Sequence, residues 1–157
     1  MSTVAAIVEG DGEVQALPIL LRRLNEWQTP DRYVQALPPI RVNRDRFLNR
    51  EEEFSRHLLL AAAKCGDDGW VLVLLDADDD CPAELGASIL DRVRQTIPHR
   101  RVSVVLAKRE FEAWFIASAP SLDGHRRFAL HSSAAVDAET PRLSLIHISE
   151  PTRPIIR

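Results

Sequence analysis

The sequence has too few cysteines, tyrosines and long apolar runs for several large classes of protein. Cys65 and Cys81 are too few for a disulfide framework or a cysteine-based zinc site. The histidines show no metal-ligand spacing, and the single tyrosine, Tyr33, falls in a predicted loop where nothing marks it as a nucleophile. No apolar run approaches the roughly 20 residues that a membrane helix needs, and the N-terminus does not resemble a signal peptide. We therefore expect a cytoplasmic domain without membrane contact.

Positive charge is not in excess either. The 157 residues are 45% hydrophobic and 27% charged, with a net charge of −3, which is typical of a soluble globular protein. This length suits one domain with a sizeable core and is too short for two ordinary domains. A negative net charge gives no bulk attraction to nucleic acid, so any binding of a polyanion must come from local clusters of arginine.

Hydrophobic segments predict strands that alternate with helices. The continuous apolar run Trp70–Leu75 is typical of a parallel sheet covered on both faces, and alternating βα units predict right-handed crossovers. Pro18 should kink the first helix or delay its start, and Thr29–Pro39 reads as a loop. The four predicted strands are Thr3–Val8, Ile40–Val42, Trp70–Leu75 and Val102–Ala107, and the predicted helices follow Glu13, span Glu51–Lys64, begin near Pro82 and include Phe111 to Phe115. This order predicts an α/β fold with a mostly parallel four-stranded sheet flanked by helices.

Three of the predicted strands run directly into acidic residues. Glu9 follows the first strand, Asp76 and Asp78 follow the third, and Glu110 and Glu112 come soon after the fourth. In open α/β sheets, ligands bind outside the carboxyl ends of the strands. Carboxylates gathered in one crevice raise one another's pKa, and a bound divalent cation reverses that effect. Oxygen ligands without histidine or cysteine favour Mg²⁺ or Mn²⁺ over zinc.

The orientation of these acids depends on the local backbone. Asp76 and Asp78 point the same way if the chain stays extended, and Asp80 joins them only if that geometry continues. On a helix, Glu110 and Glu112 would lie about 200° apart, so only one should face the site, with Glu112 preferred because aromatic residues flank it. The alternative for each aspartate is a helix cap or a solvated turn.

These acidic segments carry a family resemblance. Val8-Glu9-Gly10 before a helix, and Leu75-Asp76-Ala77-Asp78 after a later strand, resemble the Toprim domain of topoisomerases, primases and overcoming-lysogenization-type nucleases. A bacterial Toprim-like family, known mainly as a domain of unknown function and often encoded beside an ATPase, is the closer resemblance. Three blocks carry it: Glu9-Gly-Asp-Gly-Glu13, Leu74-Leu-Asp-Ala-Asp-Asp-Asp80 and Ala107-Lys-Arg-Glu-Phe-Glu-Ala-Trp114. The resemblance runs from about Val4 to Ser118, and the three blocks in order are more specific than a Glu–Asp-x-Asp pattern alone.

The resemblance implies a fold, a reaction and partners. It implies a Rossmann-like Toprim domain that cleaves phosphodiester bonds of nucleic acid with Mg²⁺ or Mn²⁺, as a phage-defence effector working with an ATPase. Glu9 would then be a general acid/base or a ligand through water, while Asp76 and Asp78 hold the metal. Asp80 could join this ligand set, and a second metal could use Glu110 or Glu112. Nothing in the sequence predicts an oligomeric state.

Basic residues near the predicted crevice are candidates for phosphate contacts, since arginine forks suit phosphate oxygens. Arg44 and Arg46 follow the weak second strand, and Arg109 precedes the acidic pair. Lys108 is better placed than the others and is a candidate catalytic residue. The alternative for each cluster is an ordinary solvated surface.

Two other functions compete with a nuclease. In a haloacid-dehalogenase-type phosphatase, Asp76 would be the nucleophile and Asp78 its acid, but that family usually places its Asp-x-Asp after its first strand, and Glu9 would have no role. A non-catalytic Toprim-like or receiver-like module would only bind Mg²⁺ or a partner protein.

The C-terminal part of the sequence is treated separately. Leu143–Arg153 resembles the conceptual translation of a transposon-end adapter used in sequencing libraries. We therefore expect a Toprim-like domain over residues 1–118, the start of a truncated extension over residues 119–142, and a non-native tail over residues 143–157.

Overall fold

A parallel β-sheet lies at the centre of the chain in the computed structural model, which describes residues 2–124 and residue 129. The strands β1 (Ser2–Val8) and β4 (Trp70–Asp76) are its central pair, and β5 (Arg101–Ala107) pairs with the other side of β4. Every strand pairing in this sheet is parallel. The predicted α/β fold with a mostly parallel sheet flanked by helices is confirmed.

Two short strands share the remaining edge of β1. β2 (Val34–Ala36) pairs with its beginning and β3 (Ile40–Arg41) with its end. The prediction of a loop over Thr29–Pro39 was therefore wrong at β2. Three residues are too few to show a strand period, and this strand exists because β1 offers it an open edge. Pro38 and Pro39 separate the two strands, since proline has no N–H to donate to a ladder. Together β2 and β3 take the place of one strand beside β1, so the sheet formed by the described residues is four strands wide.

Helices lie on both faces of this sheet. The described residues form α1 (Asp11–Gln28), α2 (Arg44–Asn49), α3 (Glu51–Cys65), α4 (Pro82–Thr96) and α5 (Ala113–Leu122). Side chains of α2, α3 and α4 pack on one face, and α1 packs with Phe111 on the other. One face of α3 is buried, and it includes Phe54, Leu58, Ala61 and Cys65. No helix within the described range is both long and apolar enough to span a bilayer.

The start of α1 differs from the prediction. Pro18 was expected either to kink this helix or to delay its start; α1 begins at Asp11 and includes the proline, so the start is not delayed. Proline removes one backbone N–H from the helix interior, which costs stability. Leu17 beside it is buried against the sheet, and this packing holds the helix together.

The short helix α2 was not predicted. Asn43 caps it, because its side chain accepts a hydrogen bond from the Arg46 backbone N–H at 3.0 Å. Phe47 is buried, with its ring centroid 4.8 Å from that of Phe54 on α3. An asparagine cap followed by one large apolar residue is a weak signal, yet it places α2 beside the carboxyl ends of the strands. The expected adapter-derived tail over residues 143–157 lies outside the described residues.

Candidate acidic site

An open crevice of about 450 Å³ lies at the carboxyl ends of β1, β4 and β5. Gly10 and six carboxyl side chains line it: Glu9, Glu13, Asp76, Asp78, Glu110 and Glu112. The parallel sheet explains this convergence, because the acidic segments that follow neighbouring parallel strands meet at one edge. The structure thus brings together the predicted acids from three separate segments of the chain.

The turn after β1 supplies Glu9 and a residue that was not predicted, Glu13. Glu13 lies in the first turn of α1 and is only 3% exposed. A Cβ atom on Gly10 would lie 2.5 Å from Glu13 Oε2, so the absence of a side chain at residue 10 lets this carboxylate fold back toward the strand end. An acid in a first helical turn is ordinarily a solvated partner of the helix dipole. Gly10, two residues after the buried strand, was the available sequence signal for a different position of Glu13.

The backbone after β4 does not stay extended. A shared direction of the Asp76 and Asp78 side chains was predicted only for an extended backbone, whereas the strand ends at Asp76 and Asp78 has a φ of 53°. The Asp80 backbone N–H donates to the Ala77 carbonyl at 2.9 Å, which closes a tight turn. Asp76 and Asp78 both line the crevice because of this turn. A positive φ is uncommon outside glycine and is least unfavourable for aspartate and asparagine.

The segment after β5 also differs from its prediction. Glu110 and Glu112 were expected on a helix with only one facing the site, but α5 begins at Ala113 and both residues precede it. Without helical spacing, both side chains line the crevice. Phe111 between them is buried, and its backbone N–H donates to Asp76 Oδ1 at 2.8 Å. This hydrogen bond ties the β5 segment to the β4 segment.

Burial and like charge act strongly on two of the acids. Burial, followed by the charge of the neighbouring Glu13 carboxylate, raises the pKa of Asp76 to about 7, while the Phe111 N–H opposes the shift. Burial, followed by the charge of Asp78, raises the pKa of Glu9, and the Arg44 guanidinium lowers it. Glu9 Oε2 is buried without a hydrogen-bond partner among the described residues. A buried acceptor left in this way is destabilising, and such shifts cluster at functional sites.

Arg44 and Asp80 take positions that were not expected. Asp80 is not among the residues that line the crevice, because its carboxylate accepts a hydrogen bond from Arg44 Nη2 at 2.7 Å. Arg44 was expected to offer its fork to phosphate, but its side chain is only 13% exposed and its donors bind the turn after β4.

The other predicted basic residues lie on the surface. Arg46, Lys108 and Arg109 are exposed, and none of them lines the crevice. Their roles in catalysis and phosphate binding stay predictions.

One comparison with known proteins gives a match. A sequence model of the family described as Domain of unknown function (DUF4276) matches residues 8–146. The chain belongs to the DUF4276 family. The match includes all three acidic segments of the crevice. No curated protein matches the chain, and no solved structure does. Membership in DUF4276 assigns no activity, and the resemblance to Toprim domains stays a prediction.

The side chains of this DUF4276 domain fit a divalent cation in their chemistry. The crevice offers carboxylate oxygens, the ligands that Mg²⁺ and Mn²⁺ prefer, and Glu9 Oε2 is an acceptor in need of a partner. Across residues 2–124, however, no group of three or more His, Cys, Asp or Glu side chains stands in an arrangement that could hold a metal ion. Cation binding therefore requires some of these carboxylates to change rotamer, a change that costs little for side chains at an open crevice.

Proposed function

We propose that this domain is a Mg²⁺-dependent phosphodiester hydrolase acting on nucleic acid, with its active site in the acidic crevice. The observation that carries the proposal is the convergence of six carboxyl side chains, one of which, Glu9, has a buried oxygen with no hydrogen-bond partner in the described part of the chain. Stability of the fold alone does not explain why like charges are gathered where burial raises their pKa values. A divalent cation would offset that repulsion.

The residues of the crevice would divide the work. The Phe111 N–H holds Asp76 by one oxygen, which fixes the carboxylate at the end of β4. Asp76 and Asp78 are the proposed ligands, and the raised pKa of Glu9 suits a group that accepts and returns a proton. When bound, Mg²⁺ would supply an activated water and neutralise charge on the leaving oxygen.

Approach of nucleic acid to this crevice needs positive charge, because carboxylates and a net charge of −3 repel phosphate. The exposed Arg46, Lys108 and Arg109 are the proposed contacts, with Lys108 directly before the acidic segment. Because Arg44 is engaged within the chain, its expected role toward phosphate passes to these exposed neighbours. A contribution to phage defence beside an ATPase is part of the proposal and rests on the family resemblance.

The first test is cation binding by the whole chain. Purified protein is melted at increasing Mg²⁺ or Mn²⁺ concentrations, beside an Asp76→Asn/Asp78→Asn variant and the control Asp68→Asn, an exposed acid at the other end of β4. We expect the melting temperature to rise with metal for the wild type and the control, because a ligand that binds the folded state stabilises it. The double variant should lose this rise.

The second test is turnover. Metal-dependent cleavage of single- or double-stranded DNA or RNA, lost in the Asp76→Asn/Asp78→Asn variant, would support the nuclease. Turnover of small phosphomonoesters instead would support the phosphatase alternative. Cation binding without turnover of either substrate would identify a binding module, and a folded protein with no response to millimolar metal would remove the basis of the proposal.

A further inference from the structure

Arg44 joins α2 to the turn that follows β4. Its Nε donates to the Asp76 carbonyl at 2.9 Å, and its Nη2 donates to the Ala77 carbonyl at 3.3 Å and to Asp80 Oδ2 at 2.7 Å. Its Nη1 lies 3.8 Å from Asp78 Oδ2. One guanidinium therefore contacts Asp76, Ala77, Asp78 and Asp80, and it does so from a side chain that is largely removed from water.

The helix that carries Arg44, α2, is held in place by its cap and its packing. Asn43 caps α2, and Phe47 packs in the core against Phe54. The Leu48 carbonyl at the other end of the helix accepts a hydrogen bond from Arg92 Nη1 at 2.8 Å. A guanidinium fork on a helix held in this way can fix the atoms that it contacts, because Arg loses less conformational entropy per hydrogen bond than a flexible amine.

Stability of α2 does not explain an arginine at this position. Arg44 is the first residue of the helix, where the positive end of the helix dipole disfavours a cation. The turn that it contacts contains Asp78 at a positive φ, a strained conformation that persists only when the surroundings impose it. The contacts of Arg44 with this turn stabilise the positive φ of Asp78.

We propose that Arg44 is a positioning residue, which holds the Asp76–Asp80 turn so that Asp78 lines the crevice and thereby sets the affinity of the crevice for a divalent cation. This inference rests on the proposed function, since it assumes that the crevice takes Mg²⁺. Arg44 has no contact with the cation in this scheme and acts only through the turn.

The positive charge of Arg44 has the opposite effect on a cation. If charge alone mattered, Arg44→Gln would tighten Mg²⁺ binding and Arg44→Lys would leave it unchanged. Lysine keeps the charge but cannot reproduce the fork that contacts two carbonyls and a carboxylate together. Positioning predicts weaker Mg²⁺ binding in both variants, so the lysine variant separates the two effects.

The experiment measures Mg²⁺ affinity by calorimetry, and Mn²⁺ affinity by electron paramagnetic resonance, for the wild type, Arg44→Lys and Arg44→Gln. Arg50→Gln is the control, an exposed arginine at the far end of α2. We expect both Arg44 variants to bind about tenfold more weakly, as the loss of charge-assisted hydrogen bonds predicts, and the control to bind like the wild type. Unchanged affinity in Arg44→Lys, or tighter binding in Arg44→Gln, would overturn the inference.

A measurement without metal keeps the inference separate from the proposed function. The Asp80 N–H, which closes the turn, should exchange with solvent faster in Arg44→Lys than in the wild type, while amides inside β4 keep their protection. Equal exchange at Asp80 would overturn the positioning role. If wild-type protein binds no Mg²⁺ but the turn loosens as expected, the proposed function fails while Arg44 still orders the turn.

Discussion

The two ends of the sheet treat charge in opposite ways. At the amino ends of β4 and β5, Arg100 donates to the Gly66 carbonyl at 2.6 Å and pairs with Asp67 at 2.8 Å. The groove beside it is largely apolar and is lined by Leu59 and Ile97 among others. At the carboxyl ends, six carboxyl groups line one crevice and Arg44 lies at its margin. The amino end pairs opposite charges, which stabilises the fold. The carboxyl end concentrates charges of one sign, which costs stability.

This difference is hidden in the sequence, because both ends carry runs of aspartate. Asp67 and Asp68 precede β4, whereas Asp76 and the residues after it follow the strand. The direction of the strand decides their environments, since the carboxyl ends of parallel strands meet where ligands bind. A run of acids is therefore informative only with its position relative to a buried strand.

The largest expected effect is on the pH dependence of stability without metal. The pKa of Asp76 in the folded protein, about 7, lies above the ordinary aspartate value of 3.8, so the folded state holds a proton that the unfolded state releases. Stability should therefore fall as pH rises from about 4 to about 7 and change little above that. We expect a loss of about 1–2 kcal/mol, less than full linkage because Asp76 is partly solvated and solvent screens charge.

Urea denaturation in EDTA between pH 5 and pH 8 measures this effect. Asp76→Asn should make the pH slope smaller, with the remainder due to Glu9, whose pKa is also raised. The variant should be more stable than the wild type at pH 8, since the amide oxygen can still accept from the Phe111 N–H. Added Mg²⁺ should stabilise the wild type more at pH 8 than at pH 5, because protons compete with it. Equal slopes in the two proteins would show that Asp76 is not the group responsible.

A smaller effect is expected for Gly10→Ala. The new methyl group would overlap Glu13 Oε2, so the buried carboxylate must move, with an expected loss of about 1 kcal/mol and a weaker thermal response to Mg²⁺. Gly86→Ala is the matched control: its methyl group would meet Leu106 at an ordinary 3.7 Å inside α4, where alanine is favoured by about 0.5–1 kcal/mol. Thermal melting with and without Mg²⁺ compares the two variants. Equal melting temperatures for Gly10→Ala and Gly86→Ala would contradict the close approach of Glu13 to residue 10.

The smallest effect is expected at the amino end. Arg100→Gln removes a pair with an exposed partner and should cost about 0.5–1 kcal/mol. Mg²⁺ affinity should not change, because Arg100 lies at the far end of the strands. A changed affinity, measured by calorimetry, would mean that the two ends are coupled and that the contrast between them is wrong.

The sequence was sufficient for the order of the main elements, because strong apolar strands and amphipathic helices alternate along it. It was also sufficient to expect Glu9 and Asp76 at one edge, since that follows from parallel strands. Burial of Glu13 could not be predicted, because it depends on how α1 leaves the sheet. The Arg44 contacts join residues more than 30 positions apart, and only the placement of α2, a helix without a clear period, creates them.

Pro38 and Pro39 have a consequence for assembly. They divide one edge of the sheet into strands of three and two residues, so this edge never presents a long row of free peptide groups. Such a row is the template on which exposed strands recruit one another into aggregates, and prolines at an edge interrupt it. Among the residues that the structure describes, the opposite edge differs, because β5 is a single strand of seven residues that form an unbroken ladder with β4.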